Sequence, residues 1–208
     1  NDQLEETRQK LEEALFYLGM IQPLPAPAYK QIADQNWMEA WKEHYKPIPI
    51  GKRLMIVPAW MESPEPARIP IRIDPGMAFG TGTHPTTQLC LELIETNYIK
   101  EASIFSPPPA TVIDIGCGSG ILSIAALKLG AQTALGVDID IESVRNSRDT
   151  AETNGIGNEF IIGQGSVAEV LAGQFAFRSA ALVVANILSP VIIRLFEAGL
   201  AELVEPGG

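Results

Sequence analysis

The stretch Val112-Ile113-Asp114-Ile115-Gly116-Cys117-Gly118-Ser119-Gly120 decides how this chain is read. An apolar run carries one acid and then breaks into three alternating glycines, after which Ile121-Leu122-Ser123-Ile124-Ala125-Ala126 resumes with helical character. Alternating glycines let the backbone turn tightly and come within contact distance of a flat ligand. In an open α/β sheet, ligands lie beyond the carboxyl ends of the strands, and a strand, glycine turn and helix in succession mark such an end.

Working outward, strand-like runs at 111–115, 133–137, 159–162 and 181–185 alternate with helical runs at 121–129, 141–154 and 190–203. That alternation predicts βαβ units and a parallel sheet, hence an α/β, Rossmann-like doubly wound fold. Upstream, 54–57 and 69–73 read as strands with prolines at their margins, and 87–95 reads as a helix. Residues 3–18 form an amphipathic helical pattern that the proline-rich 22–27 interrupts, and Trp37, Ala40, Trp41 and Tyr45 share a helical face expected to pack rather than to bind. Lys46-Pro47-Ile48-Pro49 reads as the end of that helix, and Pro107-Pro108-Pro109 as a stiff connector.

Composition narrows the class. A hydrophobic fraction of 46% and a charged fraction of 19% over 208 residues describe a folding globular chain. Fifteen basic against twenty-five acidic residues give a net charge of -10, which opposes direct, sequence-independent nucleic-acid binding. Cys90 and Cys117 make no disulfide framework, and no apolar signal or membrane-spanning run is present, so the cytoplasm is the expected compartment and no membrane partner is expected.

Two acids and one amide define the expected ligand. The dinucleotide pattern G-x-G-x-x-G/A wants a small residue where Ile121 stands, whereas the pattern here is D-x-G-x-G-x-G. Asp138 ends the next strand, 22 residues after Gly116, and its carboxylate can accept hydrogen bonds from both hydroxyls of a ribose. Asp114, at the mouth of the first strand of that series, would repel a pyrophosphate but suits an ammonium. S-adenosylmethionine has an ammonium, a sulfonium and no phosphate, so charge favours it over NAD. Asn186 follows the fourth apolar run in "VVANILSP" and can accept a hydrogen bond from an amine while aiming its lone pair at a methyl donor; taken alone it also fits a helix cap. Only His44 and His84 are available as histidine ligands and no cysteine pair has ligand spacing, so no metal is expected.

These residues resemble the class-I S-adenosylmethionine-dependent methyltransferases. More narrowly, "DPGMAFGTGTHPTTQLCLELIE", "VIDIGCGSGILSIAALKLGA", "GVDID" and "VVANILSP" are similar to the PrmA family, which methylates the eleventh protein of the large ribosomal subunit. The stretch "NWMEAWKEHYKPIPIGKRLMIVPAW" resembles that family's linker region. The resemblance implies a cofactor site of Thr87, Gly116, Asp138 and Asn186, with Phe79, Thr81 and His84 in a loop that folds over S-adenosylmethionine. Gly118 belongs to the same turn. It further implies methyl transfer to a lysine side chain or an N-terminal amine of that ribosomal protein.

Residues 1–45 are expected to be the helical remnant of a substrate-recognition domain with its linker, and 46–208 the cofactor-binding domain. The family sheet continues beyond the Pro206-Gly207-Gly208 turn, so the C-terminal strands are expected to be missing and 181–185 to form an apolar sheet edge. Two other readings compete: a nicotinamide oxidoreductase, disfavoured by Ile121 and Asp114, and a non-catalytic module that keeps the cofactor fold.

Overall fold

The structure is a computed structural model that describes residues 2–21, 45–74, 82–99 and 108–208. The chain divides into two units, Asn1–His44 and Tyr45–Gly208. In the first unit, helix α1 runs over Asp2–Ile21, with Phe16 and Tyr17 meeting edge to face at 5.8 Å. The aromatic face at 37–44 and the glycine-rich and threonine-rich loop at 75–81 lie outside the described residues.

The second unit holds two sheets. The first has three strands, β1 (Ile48–Ile50), β2 (Leu54–Pro58) and β3 (Ile69–Ile73), in the order β1-β2-β3. β1 pairs antiparallel with β2, and β2 pairs parallel with β3. The residues expected to end a helix therefore open this sheet instead: Pro49 is exposed on an edge strand, where a missing N–H leaves no ladder bond unmade. Helix α2 (Pro85–Asn97) follows, with proline in its first turn.

The second sheet begins at the glycine segment. Strand β4 (Thr111–Ile115) leads into helix α3 (Ile121–Leu129), then β5 (Thr133–Asp138), α4 (Ile141–Thr153), β6 (Phe160–Gln164), α5 (Val167–Leu171), β7 (Leu182–Val184) and α6 (Ser189–Glu197). The four strands are parallel in the order β6-β5-β4-β7. The chain runs from the centre outward to β5 and β6, then returns past β4 to β7, which is the reversal of direction that opens a ligand crevice in doubly wound sheets.

Period-two alternation gives each strand two buried faces. Val112 packs with Ile124, Ala125 and Leu129 of α3 and with the β2 and β3 isoleucines, whereas Ile113 and Ile115 pack with Leu135, Val137, Val167 and Leu203 on the opposite face. Each such aliphatic side chain contributes about 1.5–3 kcal/mol by leaving water. Asp114 falls on the face that α3 covers, which sets its environment.

The helical run expected at 190–203 is broken. Gly199 adopts φ 96°, so α6 stops at Glu197 and a 3-10 turn, Leu200–Leu203, follows. β7 is one of the two edge strands of this sheet among the described residues, β6 being the other, and beside its start Val204 bridges Ala180 in parallel. Among the described residues no helix is long and apolar enough to cross a membrane.

Candidate functional site

The turn after β4 is held tightly. Gly116 and Cys117 both donate backbone N–H groups to Val137 O, at 2.8 and 3.1 Å, and Gly120 closes the turn on Cys117 O at 2.7 Å. Gly116, Gly118 and Gly120 take φ values of 73°, 55° and 74°, a region in which a side chain is strained. At Gly116 a Cβ would also lie 2.6 Å from Ile187 Cγ2, so the backbone there approaches the β7 end closely.

Two side chains brace the turn from outside. Asp138 Oδ2 accepts the Gly118 N–H at 3.0 Å, while its Oδ1 accepts the Asp140 N–H at 3.0 Å. Each carboxylate oxygen keeps a further lone pair, so the group retains capacity for two hydroxyl donors. From α4, Ser147 donates its hydroxyl to Gly118 O at 2.7 Å.

A cleft of about 350 Å³ open to solvent lies against this turn, with Thr87, Asp114, Gly116, Gly118 and Asn186 among the residues lining it. Residues from three separate segments thus converge where the strand order reverses. Asn186, two residues past β7, donates from Nδ2 to Thr87 Oγ1 at 3.0 Å, across 99 residues of sequence. The amide oxygen is left for another donor. Ile121 also lines the cleft, so a branched side chain stands where a dinucleotide pyrophosphate turn needs a small one.

Asp114 is the most perturbed acid of the cleft. It is 1% exposed; its Oδ2 accepts the Ser123 hydroxyl at 3.0 Å, and its Oδ1 is buried without a hydrogen-bond partner among the described residues. Burial pushes the carboxyl up to about 7; the Ser123 hydroxyl and backbone N–H pull the other way, and the charge of Asp138 adds a smaller rise. The thiols of Cys90 and Cys117 are pushed up as well, first by burial and then by Asp114, which leaves both as inert packing groups rather than nucleophiles.

Of the residues expected at the site, the structure brings Thr87, Asp114, Gly116, Gly118 and Asn186 to one cleft and sets Asp138 against the turn that lines it. His84 stands at the N-cap of α2, exposed, its Nδ1 accepting the Thr86 N–H at 3.3 Å. Phe79 and Thr81 lie outside the described residues. Sequence reasoning missed Ser123 and Ser147. The hydroxyl of Ser123, in the first turn of α3, lies nine residues from Asp114 in sequence and meets it only through the placement of α3 against β4, which no local pattern announces.

A parallel sheet of this order, helices on both faces and a glycine turn with acids at two strand ends define the class-I methyltransferase fold. Similarity to known proteins narrows the class. The family described as "Ribosomal protein L11 methyltransferase (PrmA)" matches over residues 1–208, and the chain belongs to that family. A ribosomal protein L11 methyltransferase of Pseudomonas putida (strain W619) is 42% identical over 199 residues, covering 95% of this chain and 63% of that protein. One from Dechloromonas aromatica (strain RCB) is 43% identical over 198 residues, covering 95% and 60%. The chain thus spans about three fifths of the length of these curated relatives. The crystal structure of a ribosomal protein L11 methylase from Lactobacillus delbrueckii subsp. bulgaricus superposes with a TM-score of 0.63 at 37% identity, over 79% of this chain and 77% of that one.

Proposed function

We propose that this chain binds S-adenosylmethionine in the cleft at the end of β4 and transfers its methyl group to a lysine side chain or an N-terminal amine of the ribosomal protein that its relatives' name identifies, L11. The observation that carries the reading is the convergence of Asp114, the Gly116 turn and Asn186 on one cleft. In this reading 46–208 form the cofactor-binding domain and 1–45 the helical end of a substrate-recognition domain with its linker.

The residues fit such a cofactor by their chemistry. Asp114 Oδ1, buried and unpartnered, suits a cationic tail; Asp138 keeps lone pairs for ribose hydroxyls; the glycine backbone lets a flat group lie close. S-adenosylmethionine supplies, when bound, a methyl group on a sulfonium with a neutral thioether as leaving group. What the protein must provide is alignment and desolvation. Thr87 fixes the amide of Asn186 so that its oxygen can accept an N–H of the incoming amine and turn the amine lone pair into the cleft. A free lysine amine titrates at about 10.4, and removal from water in a cleft lowers that value toward the neutral, reactive form. His84, Phe79 and Thr81 belong in this proposal to the loop that covers the cofactor.

Calorimetric titration with S-adenosylmethionine, S-adenosylhomocysteine and NAD in parallel tests the reading. Saturable binding of the adenosyl pair without NAD is expected; binding of NAD alone, or of none of the three, overturns it. Asn186→Ala separates an enzyme from a cofactor-binding scaffold: turnover should fall by about a hundredfold or more with cofactor affinity kept.

A further inference from the structure

Asp114 sits among groups that all oppose its charge. On β4 it is flanked by the glycine turn; from β5 it meets Asp138, from α2 Cys90 and from the turn itself Cys117. Every titratable neighbour that reaches it among the described residues is an acid or a thiol. A carboxylate removed from water without a counter-charge is strongly disfavoured and is relieved by taking up a proton. Only Ser123 eases it, by donating its hydroxyl to Oδ2 at 3.0 Å from the first turn of α3, where Ser123 is itself fully buried. With Oδ2 so occupied, the atom left without a hydrogen bond among the described residues is the buried Oδ1, and Asp114 is part of the cleft wall.

We propose that Ser123 and Asp114 act together as a proton-coupled ammonium subsite: Ser123 is a positioning residue that holds one carboxyl oxygen and leaves the other for a cationic tail, whose arrival drives the carboxyl proton out to solvent. The step balances simply. The Asp114 O–H bond breaks, the proton passes to buffer, and the carboxylate pairs with an ammonium that keeps all its own protons. The inference rests on the cofactor reading above and deepens it, because it assigns a role to Ser123 and predicts proton release on binding.

The test is calorimetry of S-adenosylhomocysteine binding in buffers of different ionisation enthalpy, at about pH 6 and about pH 8. 5′-Methylthioadenosine, which shares the adenosine and thioether but lacks the ammonium, is the control ligand. With the empty carboxyl titrating at about 7, the wild-type protein should release about 0.9 of a proton at pH 6 and about 0.1 at pH 8, and its Kd should tighten about tenfold between them. Methylthioadenosine should release none and bind equally at both. Asp114→Asn should bind S-adenosylhomocysteine more weakly and without pH dependence. Ser123→Ala should shift the midpoint of the affinity curve upward in pH, and Ser123→Thr, which keeps a hydroxyl, should restore it. Binding of S-adenosylhomocysteine with no proton release, or equal release by methylthioadenosine, overturns the subsite. Absence of S-adenosylhomocysteine binding at both pH values overturns the cofactor reading and the subsite with it.

Discussion

At Gly116 one missing Cβ serves two purposes. The backbone there has φ 73°, and any side chain would meet Ile187 Cγ2 at 2.6 Å. Gly116→Ala should therefore cost about 1–3 kcal/mol of backbone strain, and it should weaken S-adenosylhomocysteine binding through displacement of the turn. A denaturation midpoint and a Kd both unchanged from wild type would remove the turn from the site. Asp114 carries a second prediction for the empty protein. Unfolded, the carboxyl loses its proton near 3.8; folded, it keeps it up to about 7. Between those values the native state binds more protons than the unfolded one, so stability falls as pH rises, by up to about 1.4 kcal/mol per unit, and is flat outside the window. Asp114→Asn has no proton to exchange, so urea midpoints measured from about pH 4 to about pH 7 should decline less steeply than in wild type. Parallel slopes would show that the folded carboxyl is not raised.

Between elements, the first sheet is tied to the helices by buried polar contacts. Glu95 of α2 is 3% exposed and accepts backbone N–H groups of Lys52, at 2.8 Å, and of Arg53, which clamps the β1–β2 turn onto the helix. Glu95→Gln keeps the shape but turns an amide N–H₂ toward one of those donors, leaving a buried donor unsatisfied at a cost of about 1–3 kcal/mol. The thermal midpoint should fall by about 2–10 °C; an unchanged midpoint would mean that the turn holds without the clamp. These contacts explain which elements could be read in advance. β4 and α3 match the expected 111–115 and 121–129 because a mostly apolar strand, a glycine turn and a mostly apolar helix each declare themselves locally. β1 could not be read, since Pro47 and Pro49 announce a break and its strand state comes from pairing with β2. The five-residue α5 was missed although its capping box, Ser166 with Glu169, stands in the sequence, because so short a helix has no periodicity to detect. At the site the acids and glycines were legible as strand-end residues, whereas the Ser123–Asp114 and Asn186–Thr87 hydrogen bonds were not, being products of how α3 and β7 are placed.

On the scale of the whole molecule, charge decides how a partner is met. The chain carries a net charge of -10, spread over twenty-five acids without a basic run. A ribosomal protein must face RNA phosphates, so a partner of that class presents an excess of lysine and arginine. Opposite fields of this kind accelerate encounter by tenfold to a thousandfold at low salt and are screened as the Debye length falls from about 10 Å at 0.1 M to about 3 Å at 1 M. The proposed substrate should therefore associate about tenfold or more slowly at 0.5 M than at 0.05 M salt, read by stopped-flow or surface binding kinetics. S-adenosylhomocysteine, whose tail bears balanced charges, should change its Kd by less than about twofold over the same range. The two measurements separate long-range steering from the local ion pair at Asp114. A salt-independent association rate would mean that recognition of the ribosomal protein is carried by short-range contacts, with the acidic surface serving solubility alone.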